Sequence, residues 1–259
     1  MSKNIYIVSD LHLGAPDYES SLKREKRFVQ WLESIENETD TLYLVGDVFD
    51  FWFEYRKTVP QGFLRILGKL AMMADNGIKI HLFSGNHDLW YGEYLQREIG
   101  AKIHREAYTV THFGKKYFIA HGDGLGPGDY GYKFIKKIFT NPVCQWLFRR
   151  LHPDTGISLA NFFSRLSASF SKTEKEPEFY GENEHLIIFS REVLNKNPDY
   201  DYFIFGHRHI LKSYPLSDNA ICIYLGDWLN YFSFVEISQN NTKILTYTQK
   251  MKKNEKNSC

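Results

Sequence analysis

The chain has 259 residues, 43% of them hydrophobic and 24% charged, which is material for one large α/β domain with a substantial core. Its 32 basic and 31 acidic side chains leave a formal net charge of +1, which excludes the broad basic footprint of a nucleic-acid-binding protein. The three cysteines (Cys144, Cys222 and Cys259) are scattered and form no disulfide framework, and no apolar run reaches the roughly 18–20 residues of a membrane span.

Met1-Ser2-Lys3-Asn4 leads directly into an apolar run, so a cytoplasmic protein without a secretory leader is expected. Ile5 to Ser9 is β-branched and apolar and reads as a central strand. It ends in Asp10-Leu11-His12-Leu13-Gly14. On extended backbone Asp10 and His12, two residues apart, project to one side, where a carboxylate and an imidazole make a metal-ligand pair; the alternative is a carboxylate capping the next helix. Residues 21–36 place Phe28, Trp31, Leu32 and Ile35 on one helical face. Thr41 to Val45 reads as a second buried strand, ending in Gly46-Asp47. The strand–helix–strand order predicts parallel pairing with a right-handed crossover, which brings Asp47 to the same sheet edge as Asp10. Val48 to Phe53 is aromatic and reads either as a wall for an apolar ligand or as a packed cluster.

Residues 62–76 form a second amphipathic helical pattern. The third apolar run, Ile78 to Phe83, stops at Ser84-Gly85-Asn86-His87-Asp88, where open α/β sheets hold their sites. Asn86 offers a carbonyl oxygen, His87 a nitrogen or a proton, and Asp88 a carboxylate able to orient that imidazole. Residues 91–100 read as a helix. Residues 108–111 and 116–120 read as strands joined at the Gly114 turn, the second ending in His121-Gly122-Asp123. From about residue 124 to 178 the alternation breaks into an aromatic, basic stretch, expected to be a helical insertion or lid. Its helical spacing suggests a lipid surface or an amphiphilic ligand, or else a helix packed on the core with a solvated basic face. Residues 182–195 read as a helix. Asp201 to Phe205 is a strand ending in Gly206-His207-Arg208-His209, which repeats the i, i+2 spacing. Residues 220–225, 231–237 and 243–248 read as strands of a second sheet. Residues 250–259 read as a polar tail without fixed structure.

Asp10, His12, Asp47, Asn86, His121, His207 and His209 thus stand at or just past strand ends. One apportioning gives Asp10, His12, Asp47 and His209 to a first cation and Asp47, Asn86, His121 and His207 to a second, with Asp47 bridging. Nitrogen and oxygen ligands without thiolate favour Mn, Fe or Zn, of which Mn2+ leads the expectation. Two cations side by side suit in-line displacement at phosphorus. No Walker or G-x-S-x-G motif competes with that reading.

Asp10-x-His12, Gly46-Asp47, Gly85-Asn86-His87-Asp88, His121-Gly122-Asp123 and Gly206-His207-x-His209 resemble the five-motif signature of calcineurin-like metallophosphoesterases across residues 5–237. The resemblance implies an αββα sandwich of two mixed sheets, a two-metal centre, and a His87 held by Asp88 that contacts phosphate. Within that superfamily, Asp10-Leu11-His12-Leu13, Gly46 to Trp52, Gly122-Asp123 with Asp129 and Tyr132, and Leu225-Gly226-Asp227-Trp228 are similar to the branch that hydrolyses UDP-2,3-diacylglucosamine in lipid A synthesis. His87 stands where that branch's best-known form has Arg. The resemblance implies cleavage of the pyrophosphate, a nucleotide-linked glycolipid substrate and peripheral contact with the inner membrane face. It also implies substrate contacts from Asn86, Asp129, Tyr132, Lys172 and Lys175. A phosphoesterase acting on a soluble monoester or diester stands as the alternative, and the oligomeric state is open. One domain is expected over residues 1–249.

Overall fold

The computed structural model describes residues 3–128, 130–160 and 178–248. Eleven strands in these segments form two sheets. The first holds β1 (Asn4–Val8), β2 (Thr39–Val45), β3 (Lys79–Phe83), β4 (Lys102–His104), β10 (Ser233–Ile237) and β11 (Thr242–Thr246), in the order β11-β10-β1-β2-β3-β4. The second holds β5 (Tyr108–His112), β6 (Lys115–Ala120), β7 (Tyr202–Phe205), β8 (Leu211–Pro215) and β9 (Ile221–Leu225), in the order β5-β6-β7-β9-β8. Parallel and antiparallel pairings occur in both.

Alternation along each strand builds the layers. Ile5, Ile7, Tyr43, Val45 and Phe83 point one way and meet Tyr117, Ile119, Ile204 and Ile223 of the other sheet. Tyr6, Val8, Leu42, Leu44, Ile80 and Leu82 point the other way, onto α1 (Tyr18–Ile35), α2 (Leu64–Asp75) and α3 (Tyr94–Ile99). Phe118, Phe203 and Phe205 bury the outer face of the second sheet under α7 (His185–Lys196). The result is the expected αββα sandwich. Helix α1 begins at Asp17, whose carboxylate accepts from the Ser20 amide at 2.8 Å.

The last three strands do not all join the second sheet as expected. Only β9 does; β10 pairs antiparallel with β1, Ile5 opposite Ile237 and Ile7 opposite Val235, and β11 lies beyond it. The physical reason is β1's second edge, whose peptide groups need partners once β2 occupies the first. The crossing is made at Gly226-Asp227-Trp228, where the Trp228 amide bonds to the Asp10 carbonyl at 3.0 Å and the indole packs among Phe28 and Trp31. Two short strands were not expected, β4 and the edge strand β8. The aromatic run after Asp47 resolves as a packed cluster: Val48, Phe49, Trp52 and Phe53 are buried.

After β6 the chain runs through α4 (Tyr130–Phe139), α5 (Pro142–Phe148) and α6 (153–160). Neither α4 nor α5 buries a residue. They are tethered by Phe148 against Phe53 and Trp90, and by the Trp90 indole N–H donating to the Phe139 carbonyl at 2.6 Å. No helix among the described residues is long and apolar enough to cross a membrane.

Candidate metal centre

Strands β1, β2 and β3 run parallel in one sheet, and β6 and β7 run parallel in the other, so their carboxyl ends collect at one edge of the sandwich. All seven expected ligands come from there. The backbone that presents them is not the extended one inferred from spacing. Asp10, His12, Asp47, His207 and His209 have φ between 45° and 64°, and among the described residues they make up five of the eight non-glycine positions with positive φ. Left-handed backbone at such residues costs on the order of 1 kcal/mol each and concentrates at functional sites. The i, i+2 argument is therefore corrected: tight turns, not a strand, aim these side chains. One consequence is that His207 and His209 go to different places.

Two groups result. In the first, His209 Nε2 lies 3.4 Å from Asp10 Oδ1, and His12 Nε2 lies 3.8 Å from the same oxygen, 3.2 Å from His209 Nε2 and 3.7 Å from Asp47 Oδ2. In the second, His121 Nε2 lies 3.3 Å from Asp47 Oδ2 and 3.2 Å from Asn86 Oδ1, which is itself 2.8 Å from His207 Nδ1. Asp47 Oδ2 belongs to both. Its other oxygen accepts the His87 amide at 2.9 Å.

These residues fit divalent cations on three observations. Asp10 Oδ1 is buried and has no hydrogen-bond partner, an expensive state for a carboxylate oxygen unless a cation meets it. The outer imidazole nitrogens are engaged: His209 Nδ1 with Asp227 Oδ2 at 3.1 Å, and His121 Nδ1 with the Val45 carbonyl at 2.9 Å. Those partners take the Nδ1 protons and turn both Nε2 atoms inward toward the carboxylates, the orientation metal-ligating imidazoles use. The carboxylates are also held ionised. Burial pushes Asp10 up, but His209 and His12 outweigh it and hold it at about 2; Asp47 stays well below the usual range because His121 and His87 outweigh its burial. Burial, reinforced by the charge of His121, brings His207 down to about 4 and keeps it a neutral donor.

The pairing of His87 with Asp88 is overturned. Asp88 is wholly buried, and its oxygens accept from the amides of Gly85 (2.7 Å), Asp47 (3.2 Å), Val48 (2.8 Å) and Phe49 (3.2 Å) and from the Tyr91 hydroxyl. Burial, with Asp47 nearby, raises it to about 6. Asp88 ties the loop after β2 to the loop after β3. The carboxylate against the His87 ring is that of Asp50, 3.3 Å from Nδ1, and it also faces His12 Nδ1 at 3.5 Å. The sequence reading missed Asp50 and Asp227 as functional residues. The available signals were Asp50's place three residues after Asp47 and Asp227's place at the end of β9.

Tyr132 donates to Asp123 Oδ2 at 2.5 Å, with its ring 6.5 Å from that of His207. Asp129, Lys172 and Lys175 lie outside the described residues.

Close approach of the strand ends requires glycine at Gly206, where a Cβ would stand 2.0 Å from Ser9 Oγ and 2.6 Å from Asp10 Oδ2. Gly206→Ala is therefore expected to push β7 off β1 and lower metal retention at least about tenfold, the scale of a lost supporting contact. Elemental analysis of the purified variant checks this, and full metal content would refute it.

The calcineurin-like phosphoesterase family matches residues 3–211. The chain is 40% identical to the UDP-2,3-diacylglucosamine hydrolase of Porphyromonas gingivalis over 245 residues, covering 90% of this chain and 94% of that protein. It is 27% identical to the enzyme of the same name from Histophilus somni, covering 94% and 100%. Among solved structures, the phosphoesterase Yfce from E. coli is similar at 14% identity and a TM-score of 0.43, covering 94% and 97%. The family match over most of the chain and the 40% relative carry one conclusion together with the donor geometry: this chain belongs to the calcineurin-like phosphoesterases and is a metal-dependent phosphoesterase.

Proposed function

We propose that the chain hydrolyses the pyrophosphate bond of UDP-2,3-diacylglucosamine, releasing UMP and 2,3-diacylglucosamine 1-phosphate. The observation that carries this reading is Asp47, one buried carboxylate shared by two donor groups; the relatives' printed substrate supplies the rest. Asp10, His12, Asp47 and His209 would hold one cation, and Asp47, Asn86, His121 and His207 the other, with Mn2+ first and Fe or Zn also suited. Such a pair supplies Lewis acidity toward phosphoryl oxygens and an attacking water. His87, 24% exposed at the side chain and braced by Asp50, is the group placed to hand a proton to the leaving oxygen or to balance its charge. Burial works against a charged imidazole there, but Asp47 and Asp50 outweigh it and raise its pKa.

Lys136 pairs with Asp123 Oδ2 at 2.5 Å and so hangs α4 two residues beyond His121. In this reading the insertion at 124–178, of which residues 129 and 161–177 lie outside the described residues, is a lid of the single domain. Its apolar side chains receive the acyl chains at the inner membrane face, and Asn86, Asp129, Tyr132, Lys172 and Lys175 contact the substrate. Purified chain with Mn2+ is expected to release UMP from the diacyl nucleotide. Chelation should abolish the release, and added Mn2+ should restore it. Brisk turnover of simple soluble diesters with no UMP release would sink the substrate assignment.

A further inference from the structure

Between His207 and His209 stands an arginine that the two donor groups do not use. After β7 the backbone turns at Gly206, and His207 and His209 take left-handed φ of 64° and 51°. Several ties hold this strained turn from within the centre. The Gly206 amide donates to the His121 carbonyl at 3.0 Å, the His207 amide donates to Asp10 Oδ2 at 3.0 Å, and His209 Nδ1 faces Asp227. Arg208 supplies a tie in another direction. Its Nε donates to Glu184 Oε1 at 2.8 Å and its Nη2 to the Glu178 carbonyl at 3.3 Å. An arginine among metal ligands could be read as a clamp on phosphate, but this fork is committed to the amino end of α7.

Glu184 is built into the fold as an anchor. It stands between a short 3-10 turn (Gly181–Asn183) and α7, and its carbonyl accepts the Ile187 and Ile188 amides at 2.9 and 3.0 Å. Its side chain is 0% exposed, and besides Arg208 the carboxylate meets the Tyr180 amide at 3.4 Å and His185 Nδ1 at 3.4 Å. A buried ion pair adds little net stability, because desolvation opposes what pairing returns. What a guanidinium fork held by a buried carboxylate does supply is fixed geometry. The same helix end presses Leu186 onto Gly122, beside His121: a Cβ on Gly122 would stand 3.2 Å from Leu186 Cδ1 and 3.6 Å from His207 Cβ. Arg208 lies between a ligand of one donor group and a ligand of the other, so slack at residue 208 reaches both. We propose that Glu184, acting through Arg208, is a positioning residue for both cation sites, fixing the turn that spaces the two donor groups. The inference rests on the two-cation reading above and not on the identity of the substrate.

Mn2+ is titrated into the metal-free full chain, with affinity and stoichiometry read by calorimetry and the coupling of the two spins by electron paramagnetic resonance. Glu184→Gln/Arg208→Met removes both charges at similar volume, so no uncompensated buried charge is left and the melting temperature should barely move. Both Mn2+ ions are expected to bind at least about tenfold more weakly, the scale of a lost orienting contact, and their spin coupling should change. Lys115→Met cuts the ion pair with Asp201 at the opposite end of β6 and β7, and should leave both affinities unchanged. A stable double variant that holds two Mn2+ ions at wild-type affinity overturns the proposal, and so does weakening confined to one ion. Should the double variant not fold, Arg208→Lys decides by the same titration, since it keeps the charge against Glu184 but not the fork: weakening of both ions supports the proposal and wild-type affinity overturns it. Wild type that takes up no pair of cations fails the two-cation reading itself, and this inference with it, before any variant is compared. Failure of UMP release leaves the metal titration standing.

Discussion

Asp47→Asn is expected to strip the chain of both cations at once and to lower phosphoesterase turnover by about 10⁴-fold. The side chain is 2% exposed, and its Oδ2 stands between His12 Nε2 and His121 Nε2, so its charge is common to the two donor groups. Asparagine keeps the shape and an oxygen but removes the charge, and a buried divalent cation is held chiefly by that charge. A metal site contributes several kcal/mol of transition-state stabilisation; a loss of about 5.5 kcal/mol corresponds to the stated factor at 1.36 kcal/mol per decade. Asp10→Asn is the internal control, because Asp10 Oδ1 faces His12 and His209 and serves one group. That variant should lose one cation and keep the other. Metal content by elemental analysis, with circular dichroism to verify folding, reads both. Two retained cations in Asp47→Asn would refute the bridging role.

The second large effect separates two neighbouring carboxylates. Asp88→Ala is expected to cost stability, because Asp88 accepts from four backbone amides and a tyrosine hydroxyl in a fully buried position. Each buried donor left without a partner costs about 1–3 kcal/mol. A total of about 5 kcal/mol, the low end for five such donors, lowers Tm by roughly 10–20 °C for a chain of this size. Asp50→Asn should leave Tm nearly unchanged, since Asp50 is partly exposed. Its turnover should fall about 10–100-fold, as His87 and His12 lose the carboxylate that orients them. Thermal melts and steady-state kinetics on both variants decide the matter. A stable but inactive Asp88→Ala beside a fully active Asp50→Asn would return the orienting role to Asp88.

The contrast between Asp50 and Asp88 shows where residue-level reading loses its grip. Adjacency in the chain made Asp88 the natural partner of His87. In a tight turn, however, consecutive side chains diverge, and the carboxylate that reaches the imidazole comes from the loop after β2. Asp227 was passed over for a similar reason: its work is done through His209, and nothing in Gly226-Asp227-Trp228 names that partner. The placement of β10 likewise escaped the period-two pattern. Alternation tells which side chains share a face of a strand and is silent on which sheet the strand joins.

By itself the sequence determined which donors meet in the candidate metal centre and the layers around them. β-branched runs make buried strands, crossovers through helices make them parallel, and parallel strands bring Asp10, Asp47, Asn86, His121 and His207 to one edge wherever the intervening loops run. Only the tertiary structure decided which atoms face one another: the left-handed turns that send His207 and His209 apart, the shared oxygen of Asp47, and the exchange of Asp50 for Asp88. Side-chain direction at a strand end is set by backbone torsions and by contacts with distant loops, and those are properties of the packed molecule rather than of any stretch of the chain.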